Sequence, residues 1–580
     1  MLLLTACDTA PPEPPAAQIR LDQVGWAPGE RKIATLLTPE DAAGATAMII
    51  DERGRVVLRV AAGASRGAWN ARFRATNPID LSALHASGTF RVRVDDRVAA
   101  ESPPFRIAPA TDLFGPLVAG TVGYFQAHRD GPDQIGTAWR RQPAHLDDRD
   151  AAVFQSDVDD PTGDRTDAAG GWYDAGDFLK FTHTTAYALI AMQLVQRDGP
   201  APDGLAAEIA HGLDWLTRMT TGDTFYIQVG IGGDGDEILG DHDAWRLPQD
   251  DDELDVEPGD DRYYQRYRPV FRAAAPGDPI SPNLAGRVTA AFALAAQLAP
   301  STTEAATLLD TAASIFDRAA TEEVGELVTT EPRAFYPEDS WQDDLALGAT
   351  ELALAGRRLG DSRTDGWTTR ATEWAAGFRG GTAGLTVYDV QVLADAELYR
   401  LAPSEELRAD LRKRLDTAVA AAGRDPFGAA AGPGGADYTA RQLGWAATAS
   451  LYRQVSGDTR YAEFGTRSRD VVLGANGWGL SLVIGAGTTY PQCPHDQIGT
   501  LTRTRMTGAV VNGPNAADRV AALSRDDRRS MCRAGSYAAF DRADARYADD
   551  MLISATNEPS IDFTATGMLA LALAARFPDS

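Results

Sequence analysis

The chain runs to 580 residues, too long for one ordinary hydrophobic core, so at least two domains are expected. Its composition, 44% hydrophobic and 24% charged, is that of a soluble globular protein. Eighty-two acidic residues against 55 basic ones give a formal charge of -27, which repels nucleic acid and anionic membrane surfaces, so no nucleic-acid partner is expected.

No apolar run is long enough to span a bilayer. The first residues read MLLLTACDTAPPEPPAAQ. Met1 to Leu4 resembles the tail of an apolar signal segment, and Leu4-Thr5-Ala6-Cys7 resembles a bacterial lipobox. On that reading residues 1–17 are a signal remnant and Pro-rich tether, and Cys7 carries a lipid anchor. The protein is then exported, either secreted or held at the bacterial cell envelope. The plain alternative is chance, because no charged segment precedes the short apolar one. An exported chain permits a disulfide between the other two cysteines, Cys493 and Cys532, although sequence does not show that they meet.

Residues 18–109 have a period of two. In TFRVRV (89–94), Phe90, Val92 and Val94 alternate with polar residues, as in a half-buried strand. AMIIDERGRVVLRV (47–60) predicts two strands about a turn at Gly54. Several short strands in so few residues predict a small β-sandwich. GASRG (63–67) fits the spacing of a serine-hydrolase elbow. The AWNARFRATNP that follows has no helical period, so Ser65 reads as a turn residue.

Residues 110–580 are helical in pattern. Leu205, Ile209, Leu213 and Leu216 form one stripe, and Leu407, Leu411, Leu415 and Val419 another. About twelve such segments begin near residues 116, 185, 204, 283, 301, 340, 363, 385, 404, 439, 459 and 564. Six helical hairpins can close into a double-layered barrel. The stretches 130–184, 221–282, 325–340 and 475–563 are long, aperiodic and rich in Gly, Pro, Asp and aromatics, so the chemistry is expected there.

Four places stand out. GGWYDAGDFLKF (170–181) sets Asp174 and Asp177 three apart, directly after Trp172 and Tyr173. Two acids in a glycine turn are often solvated turn formers, but aromatic faces are what sugar rings stack on. So close a pair cannot flank a sugar on opposite faces; it can grip one water, and a proton donor must come from elsewhere. Glu558, in ISATNEPSIDF (553–563), is a candidate donor or else a plain loop glutamate; as an acid it needs a raised pKa. GLSLVIGAGTTYPQCPHDQ (479–497) ends in His495, Asp496 and Gln497, able to bond sugar hydroxyls or simply to lie at the surface. GGDGDEILGDHDAW (232–245) is crowded with acids, with Trp245 as a stacking platform or loop packing. It leaves room for calcium but departs from EF-hand spacing at Ile238. No H-x-x-x-H pair, no C-x-x-C, no phosphate loop and no dinucleotide fingerprint occurs, so no metal site is assigned.

These motifs resemble glycoside hydrolase family 9, the cellulase family with an (α/α)6 barrel. The likeness rests on GGWYDAGDFLKF together with RRQPAHLDD (140–148), DGDEILGDHDAW (234–245), SWQDDLALGATELALA (340–355), LGANGWGLSLVIGAGTTYPQCPHDQ (473–497), VVNGPN (510–515) and DARYADDMLISATNE (544–558). IRLDQVGWAPGERKIATLL (19–37) is similar to the immunoglobulin-like module that precedes many of these barrels. The resemblance implies an immunoglobulin-like β-sandwich followed by an (α/α)6 barrel, and an inverting β-1,4-glycanase that needs no organic cofactor. It implies Asp177 as general base, Asp174 as a second holder of the water and Glu558 as proton donor. His145, Trp172, Tyr173, Trp245, Trp341, His495 and Gln497 are the expected sugar contacts. One departure is Gln497, where cellulases of the family commonly carry arginine. Loss of that fork, with Asp496 beside it, suggests an amino sugar as a second substrate class. The expectation is therefore a monomeric endoglucanase on cellulose or related β-glucans. The alternatives are an exo-acting oligosaccharidase of the same family and, from another class, a non-catalytic glycan-binding surface lipoprotein.

Overall fold

A computed structural model describes residues 15–133, 135–136, 139–233, 238–524 and 530–576. Cys7, and Asp234 and Asp236 of the acidic loop, lie outside the described residues.

The chain begins as a β-sandwich. Strands Gln18–Arg20, Ile33–Thr38 and Ala75–Asp80 form one antiparallel sheet. The other runs Gly25–Trp26, Phe105–Ile107, Gly88–Val94, Thr46–Asp51, Val56–Ala61, with Ala100–Glu101 on Gly88–Val94. Phe90, Val92 and Val94 point into the shared core with Ile19, Leu36, Ile49 and Ile79, as the alternation requires. Gly54 turns the predicted hairpin at φ +75. Ser65 Oγ accepts from the N–H groups of Gly67 and Thr76, each at 3.2 Å, so it is a turn residue.

All twelve expected helices are present, and they alternate between two layers. Six inner helices, Thr182–Asp198, Pro282–Leu298, Gln342–Leu359, Gln391–Leu401, Tyr438–Ser456 and Ile561–Arg576, each pack on the next, and the last closes on the first. Ala110–Ala127, Leu205–Arg218, Thr302–Phe316, Thr364–Gly377, Glu405–Ala422 and Ala462–Val472 cover them from outside, completing an (α/α)6 barrel. Sequence assigns the layers. Residues 182–195 and 282–296 are buried on every face, whereas Leu205–Arg218 buries only a stripe containing Leu205, Ile209 and Leu216. Small residues let the inner helices approach: a side chain on Gly286 or Gly348 would run into the backbone of the facing helix. Val419 departs from its predicted stripe and is 41% exposed.

Because inner helices alternate with outer ones, all six inner helices point the same way. The long aperiodic stretches precede inner helices and so gather at one end of the barrel. They carry a five-stranded sheet of Pro161–Thr166, Ala151–Phe154, Val270–Arg272, Tyr226–Val229 and Lys180–Phe181 that periodicity did not reveal.

The sandwich reaches toward that end. The Gln23 amide donates to Gly479 O at 3.0 Å, and its oxygen accepts from the N–H groups of Thr488 and Thr489 at 3.0 and 2.9 Å. Trp26 donates to Asp470 at 2.9 Å, and Trp69 to Phe540 O at 2.7 Å.

Candidate active site

The 170–181 turn is anchored at both ends. Gly170 and Gly171 have φ of +90 and +81, and a side chain on Gly171 would meet the Trp215 ring. Tyr173 donates from its hydroxyl to Asp130 at 2.8 Å. Lys180 Nζ donates to Asp130 at 2.6 Å, and to Asp148 and the carbonyls of Ala168 and Gly170, each at 2.9 Å. A fully buried ammonium is stable only with such compensation. The turn is thereby held rigidly, with its two acids at the centre.

Those acids sit in opposed environments. Asp174 accepts from the Thr184 hydroxyl at Oδ1 and from Tyr336 at Oδ2, the latter at 2.7 Å. Burial first, then the nearby Asp562 and Asp177, push its carboxyl well above the ordinary range despite those donors. Burial also works to raise Asp177, but His242 reverses it: Nε2 lies 2.8 Å from Oδ2, and Leu179 N–H donates to Oδ1 at 3.0 Å. Asp177 is left below the usual carboxylate value. Carboxyls driven apart in this way take different roles, and Asp177 is the one kept ionised.

Glu558 follows the short helix Ser554–Asn557 and reaches the same turn. Its Oε1 accepts from Gly176 N–H, between the two aspartates, at 3.3 Å. Burial and then, among the groups that raise it, Asp177 hold its carboxyl above the ordinary value, the requirement for a proton donor. Gly176 is glycine for a steric reason: a side chain there would collide with the His495 carbonyl. Gln497 N–H donates to Gly176 O at 2.9 Å, and His495 N–H to Asn557 O at 3.0 Å, so three segments distant in sequence form one floor.

Among the expected sugar contacts, three remain partly accessible. His495 is half-buried, with Nδ1 2.6 Å from Met551 O, and Trp245 meets it edge-on at 5.2 Å. Trp341 is half-buried and packs edge-on against Trp374 at 5.0 Å, at the N-terminus of an inner helix.

The other four are corrected. Trp172 and Tyr173 are fully buried; Trp172 donates to Glu208 at 3.2 Å and offers no face to a sugar. His145 is also fully buried, between Asp130 at 3.0 Å and Asp251 at 3.2 Å. Gln497 is 4% exposed and braces the histidine-bearing loop, accepting from Arg246 N–H at 3.0 Å and donating to Asp241 O at 3.1 Å. Asp496 is fully buried, 2.9 Å from His128, and caps the helix Gln497–Thr502. It does not face a cleft, which removes the ground for an amino-sugar preference.

Two residues of the site were not singled out from sequence, His242 and Tyr336. His242 is 45% exposed at its side chain and is pushed up to about 9; burial opposes this, but the hydrogen bond and charge of Asp177 outweigh it. Its signal was its place in LGDHDAW, and Tyr336 stood within the aromatic 325–340 stretch. Cys493 and Cys532 form a disulfide two residues before His495. No cluster of three metal-ligating side chains occurs among the described residues.

The family model described as Glycosyl hydrolase family 9 matches residues 114–571, and that of the Cellulase N-terminal ig-like domain matches residues 14–98. A xyloglucan-specific endo-beta-1,4-glucanase of Bacteroides ovatus is 23% identical over 638 aligned positions, covering 98% of this chain and 95% of that protein. An endoglucanase of Dictyostelium discoideum is 27% identical over 441 positions, covering 69% of this chain and 56% of its own length. Among solved structures, a metagenome-derived glycoside hydrolase family 9 endoglucanase superposes with a TM-score of 0.74 at 20% identity, covering 96% of this chain and 99% of its own; that likeness speaks to the fold.

Proposed function

This chain belongs to glycosyl hydrolase family 9, and from that premise we propose that it cleaves β-1,4-glycosidic bonds within glucan chains as an inverting endoglucanase. Ionised Asp177 takes a proton from a water that Asp174 helps to hold. The water oxygen bonds to the anomeric carbon as the carbon–oxygen bond to the leaving sugar breaks, and Glu558 gives its proton to that oxygen. One proton enters the protein at Asp177 and one leaves it at Glu558, so the protein's charge balances. Direct attack by water leaves the new hydroxyl on the opposite face.

The observation that carries this reading is the meeting of Glu558 with Gly176 N–H, which brings a raised and a lowered carboxyl to one turn. The names of the relatives, a xyloglucan-specific endo-beta-1,4-glucanase and an endoglucanase, support a glucan substrate. Following the anomeric proton during hydrolysis of a cello-oligosaccharide tests the stereochemistry. The α-anomer appearing first is expected, and an initial β-anomer would overturn inversion. We further propose export with a lipid at Cys7, tested by mass spectrometry of the N-terminal peptide from membrane fractions; an unmodified Cys7 there would refute it.

A further inference from the structure

The last inner helix, Ile561–Arg576, opens on a carboxyl that the mechanism above does not use. Asp562 stands four positions after Glu558 and is 2% exposed. Its Oδ1 accepts from the Ser560 hydroxyl and lies 3.5 Å from the hydroxyl of Tyr336. That same hydroxyl donates to Oδ2 of Asp174 at 2.7 Å. The two acids are also joined through the backbone, because Ile561 N–H donates to Asp174 O at 2.8 Å. Tyr336 has one proton to give, and two buried carboxyls stand ready to accept it.

An acid in the first turn of a helix is often no more than a partner for the helix dipole, and such a residue stays ionised at ordinary pH. Asp562 does not fit that description. Its carboxyl is pushed up to about 7, by burial first and then, among the groups that raise it, by Asp437. Around it stand Asp174, Tyr336, Tyr388, Tyr187 from Thr182–Asp198, and Asp437 at the start of Tyr438–Ser456. Arg287 and Arg441 act on Tyr187 and Tyr388, and no cation is paired with Asp562 among the described residues. Asp174 feels this acid directly: after burial, Asp562 is the largest cause holding Asp174 up.

We propose that Asp562 is a positioning residue of the hydrolytic site, a second acceptor that, once charged, takes the Tyr336 proton away from Asp174 and lowers the rate. The proposal rests on the glycanase reading above, in which Asp174 helps to hold the attacking water. While Asp562 is neutral, its oxygens accept weakly and the Tyr336 proton stays on Asp174. Ionised, it accepts about twice as strongly, and turning about the tyrosine C–O bond redirects the proton without displacing the ring. Asp174 then loses the donor that fixes its Oδ2, and the water it holds loses its orientation. The rate is therefore full below about 7 and falls above it.

The test is kcat/KM against pH on soluble carboxymethylcellulose for the full native chain, Asp562→Asn and Ser560→Ala. Asparagine stays neutral at every pH, and loss of the Ser560 hydroxyl removes a donor that lowers Asp562, so both variants are expected to move the basic limb upward. The ratio of Asp562→Asn to native is expected to rise severalfold between pH about 5.5 and about 8. Tyr336→Phe removes the shared hydroxyl, and in that background Asp562→Asn is expected to leave the limb in place. A ratio flat with pH, or the same rise in the Tyr336→Phe background, overturns the proposal. If Asp562→Asn does not fold, an unmoved limb in Ser560→Ala overturns it. Infrared titration reads the exchange without turnover. A protonated-carboxyl band that Asp562→Asn removes is expected to fade as pH passes about 7, and the C–O band that Tyr336→Phe removes to shift with it. A Tyr336 band that stays in place overturns the exchange. Hydrolysis with every limb unmoved sinks only this proposal, whereas no hydrolysis by the native protein sinks the glycanase reading and the infrared titration still decides the exchange.

Discussion

Nε2 of His242 lies 2.8 Å from Oδ2 of Asp177, so the proposed base has its proton affinity set by a ring that is 45% exposed at its side chain. Burial alone pushes Asp177 upward, and the histidine brings it below the ordinary carboxylate value. The ionised base is present above its folded pKa, so activity is retained as pH falls until that lowered value is passed. Removing the ring by His242→Gln takes away the largest opposition to burial and leaves the Leu179 N–H and the charge of His495 against it. The acidic limb of kcat/KM against pH is then expected to move upward, past the ordinary value of about 4. An acidic limb that stays in place would show that His242 does not set the base.

Gly176→Ala places a methyl against the His495 carbonyl, between backbone segments that cannot yield without moving the catalytic floor. A large loss of kcat is expected, together with a lower Tm. Gly123→Ala is the control, since a side chain there meets nothing within 4 Å and alanine favours the helix by up to about 1 kcal/mol. Equal effects of the two substitutions on kcat would contradict the steric account.

The tryptophans separate by readout. Trp172 is fully buried against Phe125 and Gly212, so Trp172→Ala is expected to destabilise the fold by about 3–5 kcal/mol in denaturant titration. Trp245 is half-buried beside His495, and Trp245→Ala is expected to raise KM roughly tenfold, about 1.4 kcal/mol, with little change in Tm. If Trp245→Ala lowered Tm and spared KM, it would be loop packing instead.

The contrast between these two residues shows what a sequence carries. The twelve helices were legible because apolar stripes such as Leu205, Ile209 and Leu216 repeat at the helical period. Asp174 and Asp177 were legible as a pair because their spacing is local. Which way a loop side chain points is not local. Asp496 turns inward to His128 across 368 positions, and Gln497 meets Arg246 across 251. An aperiodic segment holds no sign of such partners. Trp172 and Tyr173 therefore looked like sugar platforms, and His242 looked like one letter among several acids.

The Cys493–Cys532 bond closes a loop with a sequence separation of 39, ahead of Pro494 and His495. Asn557, next to Glu558, donates from its side chain to the Cys493 carbonyl, so the tether sits behind both segments of the floor. Chain entropy puts the stabilisation at about 4 kcal/mol. A Tm several degrees lower is expected for the reduced protein and for Cys532→Ser. Equal Tm values in oxidised and reduced protein would contradict this.

Glu558→Gln removes the proposed proton donor while keeping the size and shape of the side chain, and its rate should fall by roughly 10²–10⁴-fold. The most direct measurement follows viscosity and reducing ends together as the native protein and Glu558→Gln act on soluble carboxymethylcellulose. A steep fall in viscosity with few new ends, absent in the variant, is the predicted result. Unchanged viscosity with the native protein would contradict internal cleavage, and a variant as fast as the native protein would contradict Glu558 as the acid.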